Sequence, residues 1–390
     1  MKIVHYLGRM RLEDGGVVRA VLDLCAVLAA RDHDVTLLTL DATDVPQQWT
    51  TGGDGRPRVV TLQPRAGPWP GLRRCAVPEA RQCIATADVV HLHVPWDPVC
   101  LVLARLARQS GVPYFISLHG MLDDWCMGRK AFKKRLYLAL VGRQFLERAA
   151  AVHCTAQAEQ DQSRKWYTHG RPIVVPLIFD LSEYEHLPGP AVARRKFAWA
   201  FPDDNDPVVL FLSRLHPKKR VELLIEAAMQ LRDDGLTFKL LIAGTGEPKY
   251  EQSLRALVER KQLSARIAFL GFVSGRNKVS LYQASDVFVL PTSQENWGFV
   301  LLESLVCATP VITTKGVDIW PELQSSGGAV IADQTPQAFA AALADLILDR
   351  EKRQRMQQQG RAWVQQNFNV DHVVEQYEQL YKCARGDLPG

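Results

Sequence analysis

The segment Asp286-Val287-Phe288-Val289-Leu290-Pro291-Thr292-Ser293-Gln294-Glu295-Asn296-Trp297-Gly298-Phe299-Val300-Leu301-Leu302-Glu303 decides how this chain is read. Its start is an apolar run closed by proline, the pattern of a buried strand. A turn-like Glu-Asn-Trp-Gly follows, then an apolar run to Val306 that reads as a helix. The helix therefore opens at the C-terminal end of a strand, the edge where open α/β sheets bind ligands. Glu295 and Glu303 lie eight residues apart, and a helical rise of about 1.5 Å per residue spreads eight residues over roughly 12 Å. That is about the distance from a transferred sugar to the ribose of a nucleotide-sugar. The free N–H groups of the helix's first turn would face the diphosphate between them. Glu303 falls inside the apolar run, where an unpaired carboxylate is costly, so it reads as more than a solvated side chain.

Outward from this segment, strand-like and helix-like runs alternate, the pattern of a parallel sheet covered on both faces. Strands are predicted near 2–7, 35–40, 58–62, 88–93, 112–118, 150–154 and 172–177, with helices between them such as 17–30 and 101–109. A second series starts at 207–212 and continues at 238–243, 267–272, 286–290, 310–313 and 329–332. Two successive series predict an α/β protein of two Rossmann-like domains facing each other across a cleft. Pro176 and a polar stretch through Pro188-Gly189-Pro190 interrupt the pattern, which sets the domains at 1–180 and 181–368. The segment 369–390 carries a last helix, with Val373, Val374, Tyr377, Leu380 and Tyr381 at helical spacing.

A chain of 390 residues suits two domains, and 47% apolar with 23% charged residues is a globular mix. No uncharged apolar run reaches about 18 residues, so no spanning helix is predicted. The start, Met1–Gly8, is too short for a signal sequence and reads as a strand. Eight cysteines are scattered without metal spacing, which fits reduced thiols in a cytoplasmic protein. The net charge of +5 allows anionic partners without indicating nucleic acid.

Ser213-Arg214-Leu215-His216-Pro217-Lys218-Lys219-Arg220 follows a buried strand and precedes a helical run. Fixed cations there would stabilise a diphosphate that gains charge on leaving, Arg by bidentate contact and Lys as a point charge. Gly15-Gly16, between the first strand and first helix, allows a phosphate close to the backbone. Gly244-Thr245-Gly246 is half of a dinucleotide fingerprint and reads as a tight turn lining a donor pocket. His91 and His93 alternate on one strand face with no third metal ligand in view, so they read as structural. Asp32-His33-Asp34 and Asp204-Asn205-Asp206 each precede a strand, at the wrong sheet edge for a catalytic metal. No metal site is expected.

Residues 128–148 carry Arg129, Lys130, Lys133, Lys134, Arg135 and Arg143, with Phe132, Leu136, Ala139 and Leu140 on one stripe. This reads as an amphipathic helix with a basic solvated face; the alternative is contact with an anionic inner-membrane surface. Asp123 and Trp125 just upstream are candidate acceptor-site residues. Arg385-Gly386-Asp387 reads as an accident of a frayed terminus.

The spacing of Glu295 and Glu303 resembles the Glu-x7-Glu signature of retaining glycosyltransferases of family GT4, and the resemblance spans nearly the whole chain. Arg214 and Lys219 fall on the family's Gly-Arg-Leu-x3-Lys-Gly element, with Ser213 and Arg220 in place of its glycines. Gly15-Gly16 matches its Gly-Gly loop, and His119-Gly120 matches the His-Gly set over the donor sugar. Lys315-Gly316 before Pro321-Glu322 resembles its Gly-Gly-x-Pro-Glu element without the second glycine. Val175-Pro176-Leu177-Ile178-Phe179-Asp180 is a bulkier hinge than the usual Pro-Asn-Gly-Val-Asp.

The resemblance implies a GT-B fold whose last helix crosses back onto the first domain. It implies His119, Arg214, Lys219 and Glu295 as catalytic residues. On the donor side it implies Gly15, Gly16, Arg214, Lys219, Gly244, Val273, Glu295, Gly298, Phe299 and Glu303. It implies a hexose moved, with retention, from a nucleotide diphosphate sugar to a glycan or lipid-linked acceptor, with no cofactor required. A cytoplasmic location and a role in cell-surface polysaccharide assembly follow by analogy, with peripheral contact at the inner-membrane surface as the alternative raised for 128–148. A GT-B sugar-nucleotide epimerase is the runner-up, but it should carry more acid/base carboxylates in its first domain. A non-catalytic glycan-binding relative should lack part of the Arg/Lys/Glu set.

Overall fold

The computed structural model describes residues 1–65, 71–201 and 206–386. The chain forms two compact units, Met1–Asp180 with Asn369–Gly390, and Leu181–Phe368.

The first unit holds β1 (Lys2–Tyr6), β2 (Asp34–Thr39), β3 (Arg58–Thr61), β4 (Val89–His93), β5 (Tyr114–Ser117), β6 (Ala151–Cys154) and β7 (Pro172–Val174). They form one sheet in the order β3-β2-β1-β4-β5-β6-β7, parallel at every pairing. The strands are Val-, Leu- and Ile-rich because helices cover both faces. Tyr6, Val90, Leu92 and Ile116 pack on one side with the helices Ala76–Ala85 and Pro98–Gln109. Ile3, Leu37, Val89 and Phe115 pack on the other with the helix Gly16–Ala30.

That second side is closed by the helix Val370–Arg385, which buries Val373, Val374, Tyr377, Leu380 and Tyr381 there. Its start is capped by the Asn369 carboxamide, and Arg31 at the end of helix Gly16–Ala30 bonds Glu378 at 2.9 Å and Asp371 at 3.0 Å. The last helix therefore belongs to the first unit, as the resemblance implied. Gly386 ends it in the left-handed conformation that glycine favours; Asp387 lies outside the described residues.

The second unit holds β8 (Val208–Leu212), β9 (Lys239–Ala243), β10 (Ile267–Gly271), β11 (Val287–Val289), β12 (Val311–Thr313) and β13 (Ala329–Ile331). Their order, β10-β9-β8-β11-β12-β13, is again parallel throughout. In each sheet the strand order reverses once, between β1 and β4 and between β8 and β11. Chains leaving neighbouring strands at such a point diverge and open a crevice at the strands' C-terminal edge.

The stripe on 128–148 differs from the reading. The segment is a short helix (Ala131–Tyr137), a π-helical turn (Leu138–Gly142) and a second short helix (Arg143–Glu147). Leu138, Phe145 and Leu146 are the buried apolar side chains, and the Tyr137 hydroxyl donates to the Pro95 carbonyl at 3.0 Å. Phe132 is 79% and Leu140 70% exposed, with Leu136 and Val141 exposed beside them. Two apolar stripes share this segment, and the one predicted to pack is the one left in solvent. Among the described residues no helix is long and apolar enough to cross a membrane.

Candidate functional site

In the second unit the reversal between β8 and β11 brings two loops together. The Lys218 carbonyl accepts from the Ser293 N–H at 2.8 Å, the Ser293 hydroxyl at 3.0 Å and the Thr292 hydroxyl at 3.2 Å. Glu295 is fixed by its own backbone: its N–H donates to Gly316 at 2.7 Å, and its carbonyl accepts from Asp318 at 2.9 Å. A Cβ on Gly316 would lie 2.8 Å from the Ser293 and Thr292 backbone, so this stitch needs glycine.

Lys219, 7% exposed, then forms an ion pair with the Glu295 carboxylate. Burial pushes the Glu295 carboxyl up, but Lys219, followed by Lys218 and Arg214, overcomes this and holds it below its ordinary value. Three cations and one anion thus stand at this sheet edge, with Arg214 exposed. Gly244 and Gly246 have a different reason from a phosphate finger. A Cβ on either would sit 1.9 Å from the carbonyl of Ser213 or Leu215, between which Arg214 lies. Glycines here let the two loops run backbone to backbone, with Leu215 N–H donating to Thr245 at 2.9 Å.

The helix Phe299–Val306 begins four residues after Glu295, so only part of the predicted span is helical. Gly298 caps it in the left-handed region (φ 72°), where a Cβ would meet Leu301 at 2.9 Å, and being glycine it offers the helix start no side-chain cap of its own. Phe299 is its first residue. Glu303 is 7% exposed and is not solvated; its oxygens accept from Lys278 Nζ at 2.7 Å and the Tyr282 hydroxyl at 3.0 Å. Each carboxylate oxygen retains lone-pair capacity for another donor. Lys278 and Tyr282 escaped the sequence reading, although they are four apart on the helix Gly275–Gln283 and so share a face. Val273 is buried in the loop before that helix.

The remaining residues belong to the first unit. Gly15 (φ 112°) precedes helix Gly16–Ala30, whose start likewise has no side-chain cap. His119, 6% exposed, is held in the left-handed region (φ 52°), rare for a residue with a Cβ. The next N–H, of Gly120, donates to the buried Glu159 carboxylate, which also accepts from Thr155 N–H at 2.6 Å and its hydroxyl at 3.0 Å. Asp123, read as an acceptor-site candidate, is buried and caps the helix Asp124–Gly128 by accepting from Cys126 N–H.

The reading of His91 and His93 is corrected in one respect: a third histidine is present. Register pairs His5 of β1 with His91, and a ring nitrogen from each of His5, His91 and His93 lies within 4.8 Å of the others. A polar residue central to the apolar strand Ile3–Tyr6 was the available signal. The rings do not form a metal cradle. His91 and His93 stack at 4.5 Å and 18°, so the lone pairs of these two rings run side by side instead of converging. Both His91 nitrogens are also engaged, with Tyr381 and Ser117. Asp34 opens β2 at the sheet's N-terminal edge; Asp204 and Asn205 lie outside the described residues.

Residues 15–177 match the family described as glycosyl transferase 4-like domain, and residues 194–363 match glycosyl transferases group 1. The chain is 29% identical over 360 residues to a GDP-mannose-dependent alpha-(1-6)-phosphatidylinositol dimannoside mannosyltransferase of Mycobacterium tuberculosis, covering 91% of this chain and 90% of that one. It is 26% identical over 413 residues to a D-inositol 3-phosphate glycosyltransferase of Kineococcus radiotolerans, covering 96% and 91%. Among solved structures it resembles Anabaena HepE in complex with UDP, at TM-score 0.80 and 20% identity over 98% of this chain and 100% of that one. Two parallel Rossmann-like units with these matches define a glycosyltransferase of the GT-B class. The two matches together span most of the chain, which is a GT4-like glycosyltransferase with the glycosyl transferases group 1 match in its second unit.

Proposed function

We propose that this enzyme transfers a hexose from a nucleotide diphosphate sugar, with retention, to a glycan or lipid-linked acceptor in cell-surface polysaccharide assembly. The Lys219–Glu295 pair carries the reading, set with Arg214 and Lys218 at the β8/β11 edge beside the start of the helix Phe299–Val306. Cations held there by the fold need no reorganisation when a leaving diphosphate gains charge. Glu295 holds Lys219 in place, while Glu303 accepts from the ribose hydroxyls. His119, Gly15 and Gly16 serve the sugar and its phosphate. The departing phosphate takes the acceptor's proton on the same face, so no protein nucleophile is invoked. Side chains and helix termini supply the charge stabilisation, and no metal or other cofactor is required.

A lipid-linked acceptor would be met at the cytoplasmic surface of the inner membrane. Exposed Phe132, Leu136, Leu140 and Val141, among Arg129, Lys130, Lys133, Arg135 and Arg143, suit insertion into an anionic leaflet.

The experiment is a thermal-shift screen of UDP, GDP, ADP and dTDP sugars. Turnover of each hit follows, with the product's anomeric configuration read by NMR. One donor should stabilise the protein and give a retained linkage. Glu303→Gln, which keeps Lys278 and Tyr282 partnered, should weaken that donor about tenfold. Lys219→Ala should lower kcat by about 10²–10³. A panel with no hit, or an inverted product, refutes the proposal.

A further inference from the structure

Five buried imidazoles line one face of the first sheet: His5 on β1, His91 and His93 on β4, His119 after β5, and His153 on β6. They form two hydrogen-bonded lines that differ in one physical respect. The first has a fixed polarity. His153 Nε2 meets the Val175 carbonyl at 2.8 Å, and a carbonyl can only accept, so this nitrogen carries the proton. His153 Nδ1 is then a lone pair and receives the Ser117 hydroxyl at 2.6 Å. Ser117, its one proton used, must accept from His91 Nε2 at 2.7 Å, which leaves His91 Nδ1 to accept from the Tyr381 hydroxyl at 2.7 Å. Every proton in this line is determined by one backbone oxygen.

The second line has no such anchor. His5 Nδ1 lies 3.1 Å from His93 Nε2, and His93 Nδ1 lies 3.0 Å from His119 Nε2. Its two ends, His5 Nε2 and His119 Nδ1, are buried without a hydrogen-bond partner. Burial holds all three rings neutral, with His5 and His119 both down to about 3. A neutral imidazole has one N–H and one lone pair, and each N···N contact needs one of each. Only two arrangements satisfy both contacts: all three rings protonated on Nδ1, or all three on Nε2. In the first, His119 Nδ1 is a donor and His5 Nε2 an open acceptor; in the second the ends exchange roles. A mixed arrangement sets two protons or two lone pairs against each other at hydrogen-bond distance.

We propose that His5 and His93 are positioning residues forming a tautomer relay, which sets whether His119 offers a substrate hydroxyl a donor or an acceptor. This rests on the reading of His119 as a sugar contact, and it extends the site to strand β1. Both states are neutral, and exchanging one for the other passes a proton across each N···N contact. One proton is lost to water at one end of the line and one gained from water at the other when those ends open. A hydroxyl that meets His119 Nδ1 selects the state in which the line then closes. Buried donors without partners are rarely tolerated, so the unanchored line is the one suited to answer a ligand.

The test uses the full-length protein with ring-¹⁵N histidine, whose nitrogen shifts separate protonated from bare ring nitrogens. At neutral pH, His5, His93 and His119 should share one tautomer, while His91 and His153 are protonated on Nε2. His93→Phe should cut the relay, leaving His5 and His119 each in both tautomers. His93→Gln, which still accepts on one side and donates on the other, should restore a single form. His5→Phe should leave His93 and His119 matched to each other, which guards against a His93 variant that fails to fold. With a donor that turns over, His93→Phe should lower kcat/KM about tenfold and His93→Gln should recover most of it. Unlike tautomers at His93 and His119 in the parent, a doubly protonated ring among the three, or a stoichiometric bound metal would overturn the relay. So would an unchanged His119 in His93→Phe. The tautomer measurement needs no substrate, so its failure is distinct from failure of the donor screen.

Discussion

Lys219 is an ammonium taken almost wholly out of water, and one carboxylate compensates it. Removing either partner alone strands the other, whereas removing both charges does not. Lys219→Met should therefore destabilise the second unit by about 2 kcal/mol, a figure discounted because Glu295 is partly exposed. Adding Glu295→Gln should recover about half of that loss, as read by urea unfolding. Equal stability of the single and double variants would show that the pair is not coupled. The pH dependence has a definite sign. Glu295 titrates below its ordinary 4.5, so its contribution is intact above that value and is lost as pH falls through the lowered one. Arg220 next door occupies φ 53°, ψ 46°, where a glycine would be unstrained, and its guanidinium bonds Gln334 at 3.2 Å. Arg220→Ala should be less stable than Arg220→Gly by about 1 kcal/mol in chemical denaturation, because both lose that bond but only alanine keeps the strain.

At the scale of elements, the basic and apolar surface of 129–143 makes a prediction of its own. Phe132→Ser with Leu140→Ser removes exposed apolar area without touching Leu138, Phe145 or Leu146, so the fold should hold. Sedimentation with anionic phosphatidylglycerol vesicles should fall severalfold, and binding to neutral vesicles should be weak for parent and variant alike. Unchanged sedimentation would remove this segment from any membrane role. This segment also shows where sequence reading stops. Strands such as Val208–Leu212 were legible because a strand buried on both faces reads as an unbroken apolar run. Residues 131–147 carry two apolar stripes joined by a π turn, and periodicity cannot say which stripe meets the core. Glu303 stood out as a carboxylate in an apolar run, but Lys278, which pairs its charge, and Tyr282, which donates to it, are reached only through tertiary packing. His5 meets His91 because β1 and β4 are neighbours, an adjacency that strand order decides and local sequence does not.

At the scale of the whole molecule, the two units should answer acid differently. The buried histidines His5, His91, His93, His119 and His153 all sit in the first unit; in the second, His186 and His216 are exposed. Burial lowers all five, with His153 down to about 4 and His5 and His119 to about 3. Below the ordinary 6.5 the unfolded chain therefore binds protons that the folded unit refuses. Stability must fall with pH until the lowered values are reached. One unit below 6.5, each such histidine costs about 1.4 kcal/mol, and five cost about 7 kcal/mol. A domain's whole stability is about 5–15 kcal/mol, so this is a large share of it. In the second unit Glu295, held low by Lys219, loses its contribution only below its ordinary 4.5. Calorimetry from pH 7.5 to 5.5 should thus show one transition falling by roughly 20 °C, at about 2–4 °C per kcal/mol, while the other stays in place. Hydrogen exchange at pH 5.5 should locate the lost protection on β1, β4, β5 and the helix Val370–Arg385. A first-unit transition that held its temperature over that range would mean that these imidazoles take up protons in the folded state as they do in the unfolded chain, and the neutral cluster would have to be abandoned.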